Sequence, residues 1–213
     1  MSDPDELART LVVRLWLPDR PGALGQVASR IGGVHGDVTA IDILERGGGR
    51  VVDELVVSLP ESVSVELLAK EIGAVDGVAV EQIRGVDAVR PDPATAVLQL
   101  AAQVAEAARP DRLAVLVSGL LVAIDADWAV AVRDGALVRQ LGAPPELGWL
   151  LAFFEGSGHL DPACPAGRAP TDVMWARFPA SGVAVAAGRA ERAVHEKERL
   201  RLALLARIVD ALL

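Results

Sequence analysis

The stretch Asp19-Arg20-Pro21-Gly22-Ala23-Leu24 separates two different periodicities. Before it, Leu11-Val12-Val13-Arg14-Leu15-Trp16-Leu17 carries β-branched and large apolar residues on both pleat faces, which predicts a central strand covered on one side. After it, Val27, Ile31 and Val34 recur at helical spacing within Ala23 to His35, and Gly36 supplies the stop. A strand that turns through Pro-Gly into a helix leaves backbone N–H groups free at the helix start, where the macrodipole favours negative charge. Arg20, Gly22 and Ala23 can offer such amides to a carboxylate; Pro21 cannot, but its fixed φ suits a first helical position. Asp19 has two readings. It can meet the ammonium of the same ligand or a group from a partner subunit, or it can be an ordinary helix N-cap worth about 1 kcal/mol.

Outward from this turn, Val38 to Glu45 and Val51 to Leu59 read as strands joined by Arg46-Gly47-Gly48-Gly49-Arg50, a hairpin signal. Ser64 with Leu67, Leu68 and Ile72 predicts a short helix ending near Gly73, and Val78 to Arg84 alternates as a last strand. With right-handed crossovers, βαββαβ gives the strand order 4-1-3-2 and leaves the second strand at an edge, where it can pair with its twin in another chain.

Asp-Arg-Pro-Gly-Ala-Leu after a strand, followed by this order of helix, Gly, strand, Gly-rich hairpin, strand, helix and strand, resembles an ACT domain over about residues 10–86. The resemblance implies a ferredoxin-like βαββαβ fold in which pairs of domains commonly bind an amino acid between them as a regulatory signal. The ligand-binding residues it implies are Asp19, Arg20, Pro21, Gly22, Ala23 and Leu24 on the turn, with Asp37, Val38 and Thr39 at the start of the edge strand. ACT domains that bind amino acids often carry Asn where this chain has Val38, a departure that leaves Asp37 or Thr39 to supply the polar contact. One such repeat makes half a site, so a homodimer is expected.

Residues 87–94, with Arg90-Pro91-Asp92-Pro93, break both periodicities and read as a linker to a second domain over 95–213. There Thr95 can cap a helix running to about Ala108, Leu113 to Ile124 reads as a buried helix, and Asp134-Gly135 is a preferred two-residue turn between Trp128–Arg133 and Ala136–Leu141. Glu146 to Glu155 suits a helix, Val173–Phe178 and Val183–Ala187 a second hairpin, and about Ala190 to Leu213 a long terminal helix. The order ααββαββα resembles a GAF-like or PAS-like sensor, so the expected fold class is α+β throughout. Trp128, Trp149, Phe153, Phe154, Trp175 and Phe178 either line a small-molecule cavity in this domain or fill its core. The apolar stripes of its first and last helices either form an intersubunit bundle or pack on their own sheet.

Composition narrows the function. The net charge of −8, from 29 acidic and 21 basic residues with no basic stripe, argues against nucleic acid as a partner. Leu113 to Ile124, the longest apolar stretch, stops at Asp125 and Asp127, short of the roughly 20 residues a bilayer requires. The acidic start Met1-Ser2-Asp3-Pro4-Asp5-Glu6 is the reverse of a signal-peptide n-region, so no membrane partner and a cytoplasmic location are expected. Cys164 is alone, and with His159 and His195 it lacks recognised metal spacing; Asp125-Ala-Asp127 lacks the rest of a calcium loop and reads as the solvated turn ending a helix. Gly47-Gly48-Gly49 is not followed by a helix and is not a phosphate loop. No catalytic group, metal or cofactor is expected. The reading is a non-enzymatic regulatory protein binding an amino acid or other small carboxylate; the alternative is an interaction protein whose ACT and helical edges mediate dimerisation without a ligand.

Overall fold

Gly48 and Gly49, both with left-handed backbone (φ 59° and 74°), close a two-residue hairpin between strands that pair as far as Gly47 and Arg50. Positive φ at both central positions matches the twist of the flanking strands and is free of Cβ strain only for glycine. The computed structural model describes residues 8–157, 172–190 and 192–213. The chain divides into two units, Met1–Arg90 and Pro91–Leu213, each built on a four-stranded antiparallel sheet.

The first unit runs β1 (Ala8–Pro18), α1 (Ala23–Gly33), β2 (Asp37–Gly47), β3 (Arg50–Pro60), α2 (Val65–Gly73) and β4 (Ala79–Val86). Its sheet order is β2-β3-β1-β4, so β2 is an edge, as the crossover argument expects. Leu11, Val13, Leu15 and Leu17 of β1 and Val51, Leu55, Val57 and Leu59 of β3 face the helices, packing with Ala23, Val27 and Ile31 of α1 and Leu68 and Ile72 of α2. The Ser64 hydroxyl caps α2 by accepting from the Leu67 amide at 3.1 Å. Contrary to the expectation of one covered side, β1 is buried on both. Val12 and Arg14 on its other pleat face are 1 % and 4 % exposed. There Arg14 donates twice to Glu54 Oε2 (2.6 and 3.1 Å), Trp16 Nε1 donates to Glu81 at 2.7 Å, and Arg50 lies over the Trp16 ring.

In the second unit, α3 (Pro93–Glu106), α4 (Arg112–Ala123), β5 (Trp128–Arg133), β6 (Ala136–Leu141), α5 (Leu147–Gly156), β7 (Val173–Phe178), β8 (Val183–Gly188) and α6 (Glu196–Val209) follow the expected order. The sheet order is β6-β5-β8-β7. Helices α3, α4 and α6 share one core with Ala129, Ala131, Met174, Ala176, Phe178, Val183, Val185 and Ala187. Helix α5 packs on the other pleat face through Leu150 and Phe154 against Val130, Val132, Val173 and Trp175. The buried stripes of α3 and α6 thus pack within their own unit.

Two boundaries differ from the sequence reading. Helix α3 starts earlier, because the Asp92 carboxylate, not Thr95, caps it by accepting from the Ala94 and Thr95 amides (3.0 and 3.1 Å), with Pro93 in the first turn. Helix α6 starts later, at Glu196, where His195 and Glu198 form a capping box. The chain before it is held non-helical: Arg189 donates to the Ile124 and Ala193 carbonyls and to Glu198, and Arg192 pairs with Asp125 at 2.8 Å and with Asp127. Asp125 and Asp127 therefore hold an arginine instead of merely solvating a turn. The aromatics are mostly core: Trp175 and Phe178 are each 1 % exposed, while Trp149, about half exposed, stacks on Phe153 with ring centroids 5.3 Å apart.

Gly188 faces Trp128 across the β5–β8 pair, and a Cβ there would lie 2.3 Å from the indole ring. Gly188→Ala is expected to destabilise the second unit by about 1–3 kcal/mol, measured by urea unfolding followed by tryptophan fluorescence.

Candidate functional site

The turn between β1 and α1 is built differently from the ordinary cap that its aspartate suggests. The residue at the N-cap position is Gly22, in the left-handed region (φ 85°, ψ −10°), and no side chain caps the helix. Asp19 is therefore not the cap, and Pro21 precedes the cap instead of occupying the first helical position, because α1 begins at Ala23. The Asp19 amide donates to the Gly49 carbonyl at 2.9 Å, which docks the turn on the β2–β3 hairpin. Its carboxylate faces the exposed Arg46 guanidinium at 3.8 Å.

Of the amides the sequence offers, two are already used within the turn. Arg20 N–H donates to the Pro18 carbonyl at 2.8 Å and Ala23 N–H to the Arg20 carbonyl at 3.3 Å. Intrahelical bonding begins with the Gln26 amide, which donates to Gly22 at 3.0 Å. Among the described residues, the amides of Gly22, Leu24 and Gly25 thus have no acceptor, and they sit at the positive end of the helix. Nothing lies within 4 Å of a Cβ placed on Gly22 or Gly25, so the backbone is open to approach.

Asp37, Val38 and Thr39 do not join this group within one chain. Asp37 pairs with Ser58, whereas Gly47 pairs with Arg50 beside the turn. Those points lie eight residues apart on β3, about 26 Å at about 3.3 Å per residue. Asp37 is exposed, Val38 packs against the helix-side core, and the Thr39 hydroxyl donates to the Val56 carbonyl at 3.2 Å beside a bulge. His195 is buried at its helix cap, while Cys164 and His159 lie outside the described residues.

Asp53 escaped the sequence reading. It sits on β3 opposite Leu15 of β1 and Ile43 of β2, facing the helices, and is 2 % exposed. Its Oδ1 has no hydrogen-bond partner. Burial pushes its carboxyl above the ordinary carboxylate range; Arg46 opposes the rise, and Asp19 and Asp42 add to it. The signal was present in Val51-Val52-Asp53-Glu54-Leu55-Val56-Val57: two adjacent acids in an apolar strand must point to opposite faces, so one of them enters the core side. Glu54 takes the other face, where Arg14 satisfies it.

No protein-family model matches the chain, and no curated protein matches it. Among solved structures it is similar to the ACT domain of a GTP pyrophosphokinase from Chlorobium tepidum, at 15 % identity over 38 % of this chain and 100 % of that one, with a TM-score of 0.30. A protein of unknown role from Galdieria sulphuraria aligns over 85 % of this chain and 81 % of its own at 12 % identity, TM-score 0.34. A formyltetrahydrofolate deformylase from Pseudomonas putida aligns over 45 % of this chain and 38 % of its own at 17 % identity, TM-score 0.30.

A carboxyl with a raised folded-state pKa costs stability once ionised; the cost is full above the folded value and vanishes below the unfolded one. Asp53→Asn is therefore expected to raise the melting temperature by a few degrees at neutral pH, with the gain fading as the pH falls from the raised folded-state value toward the ordinary carboxylate range and gone below it. Thermal unfolding of both proteins across that window measures it.

Proposed function

We propose that this chain is a non-catalytic regulatory protein that binds an amino acid, or another small carboxylate, at an ACT-type interface between two copies. The observation that carries the reading is the left-handed Gly22 cap, which leaves the Gly22, Leu24 and Gly25 amides open at the start of α1. A ligand carboxylate would accept from these amides, in the position that a capping side chain normally fills.

The edge position of β2 supports the second copy. Ile41 and Ile43 of this strand are 50 % and 38 % exposed, an apolar edge that pairing would cover. Two β2 strands pairing antiparallel set the start of one against the end of the other. Asp37 to Thr39 of one copy then lie at the same end as the partner's turn, which rejoins the two groups that a single chain separates. In this reading the GAF-like second unit transmits the bound state, which requires the ligand to favour one arrangement over another.

The alternative reading, an interaction protein without a ligand, is favoured by one observation. Leu200, Leu204 and Ile208 of α6 form an exposed stripe, each between 44 % and 49 % exposed, separate from the buried face of that helix.

Thermal-shift measurements with each common L-amino acid at millimolar concentration test the proposal. A ligand at about 100 times its dissociation constant stabilises by about 2.7 kcal/mol, so one or a few amino acids should shift the transition. Silence across the panel, with light scattering still showing a dimer, would leave the interaction reading standing instead. Ile43→Lys on the β2 edge should shift the protein toward monomer in the same scattering experiment and weaken any amino-acid effect with it.

A further inference from the structure

We propose that Asp53 is the ammonium-binding residue of this site, so that its ligand is an α-amino acid and not merely a carboxylate. The inference rests on the proposed binding at the start of α1 and adds the group that selects among carboxylates.

Three observations converge on Asp53. The first is direction: it shares a pleat face with Val51, Leu55, Leu15 and Leu17, the face that α1 covers with Ala23 and Val27. The second is level along the strand. Asp53 lies three residues beyond Arg50, at the end of the sheet where Asp19 docks on Gly49, and its carboxyl feels the charges of both Asp19 and Arg46. It therefore faces the helix-covered side of the sheet, toward the end at which α1 starts. The third is the orphaned oxygen: Oδ1 is buried and accepts nothing.

The neighbouring residue shows what a purely structural buried acid looks like in this sheet. Glu54 is 5 % exposed and receives two bonds from Arg14, whereas Asp53 is 2 % exposed with a free oxygen. An unpaired buried carboxylate is costly, and a leucine of similar size would suit an apolar core better. Arg46 is a poor substitute partner, since it is largely exposed and sits 3.8 Å from Asp19. An ammonium group entering from the turn supplies the missing positive charge and N–H donors, while the carboxylate on the adjacent α-carbon reaches the Gly22, Leu24 and Gly25 amides. Both ends of a zwitterion then have a partner of opposite charge, and a carboxylic acid without the amine leaves Asp53 as it was.

Calorimetric titration of the full chain with individual L-amino acids identifies the tightest binder, which is then compared with its deaminated carboxylic acid on wild type and on Asp53→Asn. The expected result is a loss of at least about tenfold in amino-acid affinity in D53N, the scale of a charged hydrogen bond, with deaminated-acid binding unchanged within about twofold. Wild-type affinity for that acid should equal the D53N affinity for the amino acid to within the same margin. An amino acid that binds D53N as tightly as wild type overturns the role of Asp53 and leaves the ligand site standing. If no amino acid binds wild type at millimolar concentration, the site and the inference fall together. Should D53N not fold, the wild-type comparison alone decides: equal affinity for the amino acid and its deaminated analogue overturns the assignment.

Discussion

The bond from the Asp19 amide to the Gly49 carbonyl ties the start of α1 to the tip of the β2–β3 hairpin, and the candidate site depends on it. The hairpin is fixed by two left-handed glycines, and the turn that meets it is fixed by a third, Gly22. With the turn held there, the Gly22, Leu24 and Gly25 amides have no acceptor among the described residues. Arg46 at the hairpin end and Asp53 on the strand below are brought into the same electrostatic neighbourhood. A side-chain cap on α1 would have satisfied those amides and closed the site. The chain places at the cap position a residue with no side chain at all.

This gives the first unit an uneven distribution of polar satisfaction. On the sheet face away from the helices, Arg14 is paired with Glu54, and Trp16 donates to Glu81 with Arg50 over its ring. On the helix side the Asp53 Oδ1 is left without a hydrogen-bond partner, in a fold whose other helix, α2, is conventionally capped by Ser64. In the second unit, Arg189, Arg192, Glu198 and the two aspartates after α4 knit the segment before α6 to the end of α4, although the Arg189 Nε, Arg133 Nε and Trp175 Nε1 groups stay buried without a hydrogen-bond partner among the described residues. Unmet polar groups cost free energy, so where they persist beside an open backbone they mark binding more readily than stability.

Much of this was legible in the sequence, and the exceptions have physical causes. Gly-Gly and Asp-Gly punctuate strands so strongly that both hairpins stand where the residues place them. Strand order followed from crossover handedness. Cap identity did not follow, because Asp19 and Asp92 look alike in sequence but differ in spacing from the first helical residue: Asp92 reaches the amides of α3, whereas Asp19 is three residues too early and is turned onto the hairpin. The start of the terminal helix was hidden for another reason. Arginines far from Ile124, Asp125 and Asp127 in sequence hold residues 189–190 and 192–195 out of the helix, a tertiary restraint that local propensity does not register. Asp53 was passed over because an acid inside an apolar strand reads as an interruption until register shows which face it occupies.

The most direct test of the account is a titration of the isotopically labelled chain with the L-amino acids, followed through backbone amide resonances. The account predicts that the bound amino acid shifts the Gly22, Leu24 and Gly25 amides most, with smaller changes around Asp53 and at Asp37 to Thr39 across the dimer. Shifts confined to the second unit, or a bound amino acid that leaves those three amides unmoved, would contradict it.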